Sequence, residues 1–374
     1  MTKKVCFIIN TLSGGGGAER TVQNLSNKYA SEGMNVTIIL LDEMIVGYKL
    51  DESITVKVLN SSNYSNGIII YYKKIKELGR IITEENFDYV FSFLFRSNLI
   101  NIITSKSFDF SPIVISERSF SIENYKGKSI KKLITKWILK ISYSKADAII
   151  AISEGVKNSL ISDFTLNEDK IKVIYNPIAS IRDSIQIQDE KISKSTDLNL
   201  ITIGRLVDSK NQSDLIKVIK ILRSRGINAK LKILGEGPLK PKLEKEILDA
   251  ELENFVELLG YKENVNQYLE KSDLFIFASK YEAFGNVILE AMQVGLPVIS
   301  YPTKGGPSEI IGENTYGILL KDNSVEEMVE EIIRIMKDTN LYQSYSALSQ
   351  ERANYFSLDQ ICLQYLNVFD NANK

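Results

Sequence analysis

A chain of 374 residues is too long for one ordinary core and fits two domains. Its 44% hydrophobic and 25% charged residues are those of a soluble globular protein, and no run approaches the roughly 20 apolar residues of a membrane span. The absence of histidine excludes Ser-His-Asp and Cys-His nucleophile systems and histidine zinc sites, and two cysteines at opposite ends of the chain argue against a disulfide framework.

The net charge of −1 hides an asymmetry. Residues 1–180 carry 23 Lys and Arg against 18 Asp and Glu, and the remainder carries 23 against 29. A basic first half suggests that it meets something anionic. The N-terminal apolar stretch is too short for a signal peptide and reads as a first strand.

Strand-like runs at 4–9, 35–41, 55–59, 89–93, 113–116, 148–152 and 172–174 alternate with helical patterns such as 19–31 and 129–144. This alternation predicts a parallel sheet with helices on both faces, whose ligands bind beyond the carboxyl ends of the strands. After the first strand comes Asn10–Arg20 with four glycines, Gly14, Gly15, Gly16 and Gly17. Their backbone N–H groups can approach a phosphate or sugar closely, although a flexible surface turn explains the same run. The dinucleotide fingerprint is not met, because Glu19 stands where its third glycine belongs, and no Lys-Ser or Lys-Thr follows to make a P-loop.

Residues 126–145 contain Lys126, Lys128, Lys131, Lys132, Lys136, Lys140 and Lys145, with no acid between Glu123 and Asp147. Ile130, Leu133, Ile134, Trp137, Ile138 and Ile141 repeat at helical spacing. The expectation is an amphipathic helix packed inward by its apolar face, with lysines turned outward. Those lysines are either merely solvated or set against anionic lipid headgroups, for which Lys128, Lys131, Lys132 and Lys136 are the candidates.

The strand pattern stops at Tyr175-Asn176-Pro177, and 178–197 reads as a linker. Strands then resume at 199–203, 230–234, 256–259, 274–277, 297–300 and 317–320. Helices are expected at 209–224, 240–250, 263–271, 286–294 and 324–337, and a terminal one at 355–369. The fold class is therefore α/β, with two doubly wound domains, 1–178 and 195–354, facing across a cleft.

Several strand ends of the second domain carry polar elements. Gly204-Arg205-Leu206-Val207-Asp208-Ser209-Lys210 places Arg205 and Lys210 where they can neutralise a diphosphate. Gly235-Glu236-Gly237-Pro238 and Lys304-Gly305-Gly306-Pro307-Ser308-Glu309 follow two more strands. Tyr281–Met292 places Glu282 before a helix and Glu290 about two turns later. Between them lies the helix N-terminus, a natural phosphate seat. A ligand with hydroxyls at both ends and phosphates between them suits that array, as a nucleotide sugar does.

On these motifs the chain resembles the retaining GT-B-fold glycosyltransferases of family 4 over nearly its whole length. The resemblance implies two Rossmann-like domains with a C-terminal helix, 355–374, crossing back to the first. It further implies that Arg205 and Lys210 hold the donor diphosphate, Glu290 the ribose hydroxyls and Glu282 those of the transferred sugar. The backbone of Phe284, Gly285, Asn286 and Val287, with Gly235, would complete the donor site, and Gly15, Gly16 and Gly17 would line it from the first domain. Many relatives place a histidine near the reacting centre. Here Ser116-Glu117-Arg118-Ser119 occupies that place, and Arg118 is expected to contact donor phosphate or acceptor, with Glu117 and Arg96 beside it.

The expected activity moves a hexose or N-acetylhexosamine, with UDP favoured as the nucleotide, to a lipid-linked glycan of an O-antigen, capsule or other surface polysaccharide. No cofactor and no metal is expected, since no Asp-x-Asp pair occurs. No nucleic acid is expected as a partner. The expected location is the cytoplasm, at the inner face of the cell membrane. A nucleotide-sugar epimerase on the same fold and an inactive nucleotide-sugar-binding partner are the alternatives.

Overall fold

The computed structural model describes residues 2–14, 16–42, 45–59, 67–119, 130–178, 197–303 and 305–372, with backbone alone at 67–68 and 130–132. Gly15, Lys128 and Lys304 lie outside the described residues, as does most of the expected linker. The chain divides into two compact units, Met1–Ala179 with Ser357–Lys374, and Ser180–Phe356.

The first unit contains strands β1 (Lys4–Ile9), β2 (Asn35–Leu40), β3 (Thr55–Val58), β4 (Tyr89–Phe93), β5 (Val114–Glu117), β6 (Ala148–Ala151) and β7 (Ile171–Val173). They form one parallel sheet in the order β3-β2-β1-β4-β5-β6-β7. Near-continuous apolar strands such as Val5–Ile9 fit a sheet covered on both faces. Val5, Phe7 and Ile9 pack with Val22, Leu25 and Tyr29 of helix α1 (Gly17–Ser31). Cys6 and Ile8 point the other way, into the cluster of Leu78, Ile81 and Ile82 from α2 (Gly67–Glu85) and Ile100 from α3 (Phe95–Ser107). Helices α4 (Ile130–Tyr143) and α5 (Glu154–Phe164) flank β6 in sequence.

The second unit repeats the plan. Strands β8 (Asp197–Ile203), β9 (Asn228–Leu234), β10 (Val256–Gly260), β11 (Leu274–Phe277), β12 (Val298–Ser300) and β13 (Ile318–Leu319) run parallel in the order β10-β9-β8-β11-β12-β13. Its helices are α6 (Gln212–Ser224), α7 (Lys240–Asp249), α8 (Asn266–Leu269), α9 (Asn286–Gln293), α10 (Gly306–Ile311), α11 (Val325–Lys337) and α12 (Thr339–Tyr355). In both sheets the chain starts centrally, builds one wing and then crosses to the other. The reversal falls between β1 and β4 in one unit and between β8 and β11 in the other. Such switch points are where doubly wound sheets open a crevice for ligands.

Two elements depart from expectation. The helix expected at 263–271 shrinks to Asn266–Leu269, where Asn264 turns its side-chain oxygen onto the Asn266 N–H at 3.1 Å. The C-terminal helix starts at Leu358, because a separate α12 precedes it. Only Tyr342, Ser349 and Ala353 of α12 are buried, too sparse an apolar stripe to read from sequence. The final helix, α13 (Leu358–Ala372), belongs to the first unit. There Tyr365 stacks on Phe93 at 6.0 Å, and Phe369 meets Phe91 edge-on at 5.5 Å.

Candidate active site

In the second unit the site is built around the β8/β11 switch point. The chain leaves β8 through Gly204–Leu206, which runs beside the turn after β9. The Gly204 N–H donates to Leu234 O at 2.9 Å, and the Leu206 N–H to Glu236 O at 2.9 Å. The two backbones are so close that a Cβ on Gly235, already at φ +134°, would lie 2.1 Å from the Gly204 carbonyl oxygen. A single turn of 3-10 helix at Asp208–Lys210 follows, and Asn211 adopts the left-handed conformation at φ 52°. That break starts α6 at Gln212 rather than at 209 and leaves Lys210 on a short turn.

The same turn is stitched to the end of β11. Lys280 donates its N–H to Ser209 O at 2.7 Å, and Ser279 Oγ donates to the same oxygen at 3.1 Å. These bonds bring Lys210 Nζ onto Glu282 Oε2, and the ammonium also lies 5.3 Å from the centre of the Phe277 ring. Both charged side chains are half-buried, and Arg205 nearby in sequence is exposed. Glu282 is followed by buried Phe284, held edge-on against Phe356 at 5.7 Å. Gly285, at φ 101°, then caps α9 without a side chain, so Asn286 and Val287 open the helix. Glu290 lies half-buried in its second turn. Gly306 closes the other side, where a Cβ would sit 2.1 Å from the Phe284 Cα and oxygen. Thus Lys210, Glu282, Phe284, Gly285 and Gly306 form one connected cluster. A cation, a carboxylate and a helix N-terminus together can receive a phosphorylated polyol.

In the first unit, the glycine loop after β1 is anchored by Glu19. One carboxylate oxygen accepts from Thr11 Oγ1 at 2.7 Å, and the other from the Gly14 N–H at 2.9 Å. Glu19 therefore holds the loop where the dinucleotide fingerprint would have its third glycine. Gly16 is the N-cap of α1, and Gly17 is its first residue.

Arg118 requires a correction. It is only 6% exposed, and its guanidinium donates to Tyr365 Oη at 2.8 Å, Thr21 Oγ1 at 2.9 Å and Asn176 Oδ1. Its face covers the Phe93 ring, 5.5 Å from the centroid. Directed at protein acceptors in the interior, it ties α1, β5, the Asn176 segment and α13 together instead of presenting donors to phosphate or acceptor. Burial pulls its proton affinity below the ordinary arginine value, against the opposing effect of Tyr365 and Glu117.

Glu117 is buried with it. Its carboxylate accepts from the N–H groups of Arg118 and Ser119 at 3.0 and 3.1 Å, Ser119 Oγ at 2.9 Å and Tyr143 Oη at 2.8 Å. Burial raises its pKa, opposed by the bonds from Tyr143 and Ser119. Arg96 instead grips Asp42 in a bidentate pair at 2.9 and 3.0 Å, and Lys74, nearly fully buried, bonds Asp42 and Leu41 O. Sequence reading missed Asp42 and Lys74, because nothing local marks two residues 32 positions apart as partners.

The lysine-rich helix is the second correction. On α4, Leu133, Ile134, Trp137 and Ile141 are exposed, while Leu139 and Tyr143 are buried. The face turned inward is the smaller one, fixed by Tyr143, whose hydroxyl also accepts from Asn98 Nδ2 at 2.9 Å. The broad apolar stripe therefore faces outward.

The model of the glycosyl transferases group 1 matches residues 183–352, and that of Glycosyltransferase Family 4 matches residues 15–180. A Campylobacter jejuni N-acetylgalactosamine-N,N'-diacetylbacillosaminyl-diphospho-undecaprenol 4-alpha-N-acetylgalactosaminyltransferase is 29% identical over 360 residues, 94% of this chain and 96% of its own. An uncharacterized glycosyltransferase of Methanocaldococcus jannaschii is 31% identical over 302 residues, 71% of this chain and 74% of its own. Among solved structures, Anabaena HepE in complex with UDP superposes with a TM-score of 0.78 at 19% identity, covering 98% of this chain and 100% of that one. With two Rossmann-type sheets and both family models matched in order, the chain belongs to the family 4 (group 1) glycosyltransferases of GT-B fold.

Proposed function

We propose that this glycosyltransferase moves a hexose or N-acetylhexosamine from a UDP-sugar to a lipid-linked glycan during surface polysaccharide synthesis, with retention of anomeric configuration. One observation carries the reading. The Lys210–Glu282 pair stands at the β8/β11 switch point, just before the N-terminus of α9. The lipid-diphosphate acceptor is supported by the Campylobacter relative, whose name specifies a diphospho-undecaprenol substrate.

Lys210 and Arg205 neutralise the donor diphosphate, and the N–H groups opening α9 take its remaining oxygens. Glu290 accepts from the ribose hydroxyls and Glu282 from those of the transferred sugar. The bond between anomeric carbon and diphosphate oxygen breaks as the acceptor oxygen bonds the same face of that carbon. The acceptor proton passes to the departing diphosphate oxygen, so no side-chain base is required in a chain without histidine. Metal is not required, because the two cations balance the leaving charge. The lysines of α4 hold the protein on the cytoplasmic face of the membrane.

Incubation with a panel of UDP- and GDP-sugars and lipid-diphosphate acceptors, with EDTA present, is expected to give one retained glycoside. A product of inverted configuration would overturn the mechanism. Free epimerised sugar without acceptor would favour an epimerase, and no thermal shift with any nucleotide sugar would overturn the transferase reading.

A further inference from the structure

Helix α4 carries more than basic charge. Leu133, Ile134 and Trp137 are 58%, 52% and 64% exposed, and Ile141 is exposed one turn further on. On a helix of 3.6 residues per turn these four fall within an arc of about 100°, and Leu139 and Tyr143 fall on the opposite side. Lys140 is exposed on one flank of that arc, Lys145 is exposed in the turn just past the end of the helix, and Lys136 is half-buried beside the Phe164 ring at 5.8 Å. No acidic residue occurs from 124 to 146.

We infer that α4 lies in the interface of an anionic bilayer, with Leu133, Ile134, Trp137 and Ile141 inserted below the phosphates and the lysines beside them snorkelling to the headgroups. This deepens the membrane contact proposed above and rests on that reading. Lysines alone would adsorb the protein and release it in salt. An apolar arc adds contact that salt strengthens rather than screens, and an indole is suited to the headgroup boundary. Charge complementarity selects the occupant. A second copy docked on this arc by a two-fold axis would set lysine against lysine in both molecules, whereas anionic headgroups match both the stripe and its flanks.

Trp137 is the only tryptophan in the chain, so its emission reports on this helix alone. The full-length protein is titrated with phosphatidylglycerol/phosphatidylethanolamine vesicles, with and without bromine-labelled acyl chains, and with phosphatidylcholine vesicles. The expected result is a blue shift and bromine quenching on the anionic vesicles, persisting at 0.5 M NaCl, where the Debye length is only about 4 Å. The variant L133S/I134S, which keeps Trp137, is expected to partition about tenfold less, and Lys140→Glu with Lys145→Glu to lose the preference for anionic lipid. Circular dichroism and the thermal shift with UDP serve as fold controls.

Sedimentation with vesicles without any change in Trp137 emission would overturn the inference, because another surface would then be docking. So would no sedimentation at all, or a blue shift that follows protein concentration without lipid, which would indicate a second copy. The assay contains neither sugar donor nor glycan acceptor. Docking without transfer would therefore sink the transferase reading alone, and transfer to a water-soluble acceptor without docking would sink this inference alone.

Discussion

Lys210 and Glu282, 72 positions apart, form an ion pair across the ends of two neighbouring strands of one sheet. The pair joins two groups with different proposed tasks, one on diphosphate and one on sugar hydroxyls. Each therefore holds the other in place before a donor arrives. Lys210→Ala is expected to lower kcat on the order of 10²–10³-fold, as for loss of one group that stabilises developing charge. Glu282→Ala is expected to abolish transfer with the fold intact. Steady-state kinetics beside thermal melts check both, and a Glu282→Ala enzyme with unchanged kcat would refute the assignment.

Two glycines of the site are required by backbone contact rather than by flexibility. A Cβ at Gly235 or Gly306 would meet main-chain atoms at 2.1 Å, which no side-chain adjustment relieves. Gly204 differs, because its nearest neighbour would be the flexible Lys210 side chain at 3.5 Å. Gly235→Ala and Gly306→Ala should each cost several-fold in nucleotide affinity and about 2–3 kcal/mol in stability, while Gly204→Ala should stay within about 1 kcal/mol. Isothermal titration with UDP and urea melts test the contrast.

Asp42 holds the nearly fully buried Lys74 and the guanidinium of Arg96. Burial alone would raise its pKa, but the bonds and charges of Arg96 and Lys74 outweigh it and hold the carboxyl below its ordinary 3.8. A carboxyl with a lowered folded pKa stabilises the fold above its unfolded pKa. That stability is lost as pH falls through the folded value. Asp42→Ala is therefore expected to cost about 2–3 kcal/mol at pH 7, because Lys74 keeps only Leu41 O. The difference from wild type should shrink below about pH 4. Chemical denaturation at pH 7 and pH 3 measures it, and an equal loss at both would reject the carboxylate's role.

Tyr365 provides an acceptor for a buried guanidinium. Tyr365→Phe keeps the stack on Phe93 but removes that acceptor from Arg118, at an expected cost of about 1–3 kcal/mol. If Arg118 serves packing rather than chemistry, kcat at permissive temperature should remain within about twofold.

The parallel strands were legible because runs such as Val5–Ile9 are apolar on both faces, a pattern that helices covering both sides require. The site motifs were legible as strand ends, since glycines and charges cluster there for backbone reasons. Other features were not. Asn211 enters the left-handed region, and nothing in Ser209–Asn211 distinguishes that from a helix start. The outward stripe of α4 was misread because the choice of face rests on Tyr143 reaching Glu117, a contact between residues 26 positions apart. Arg118 follows β5 directly, as expected, but its direction depends on Asn176 and Tyr365, which only folding brings near.

The membership of α13 in the first unit has a consequence for biosynthesis. During translation the N-terminal unit emerges first, but its sheet keeps Phe91 and Phe93 uncovered, and Arg118 without Tyr365, until Ser357–Lys374 leaves the ribosome. The second unit, by contrast, is continuous in sequence and needs no segment made after its own last helix. Premature termination before Leu358 would therefore release a chain whose earliest-made half exposes aromatic surface, a ready client for chaperones and proteases.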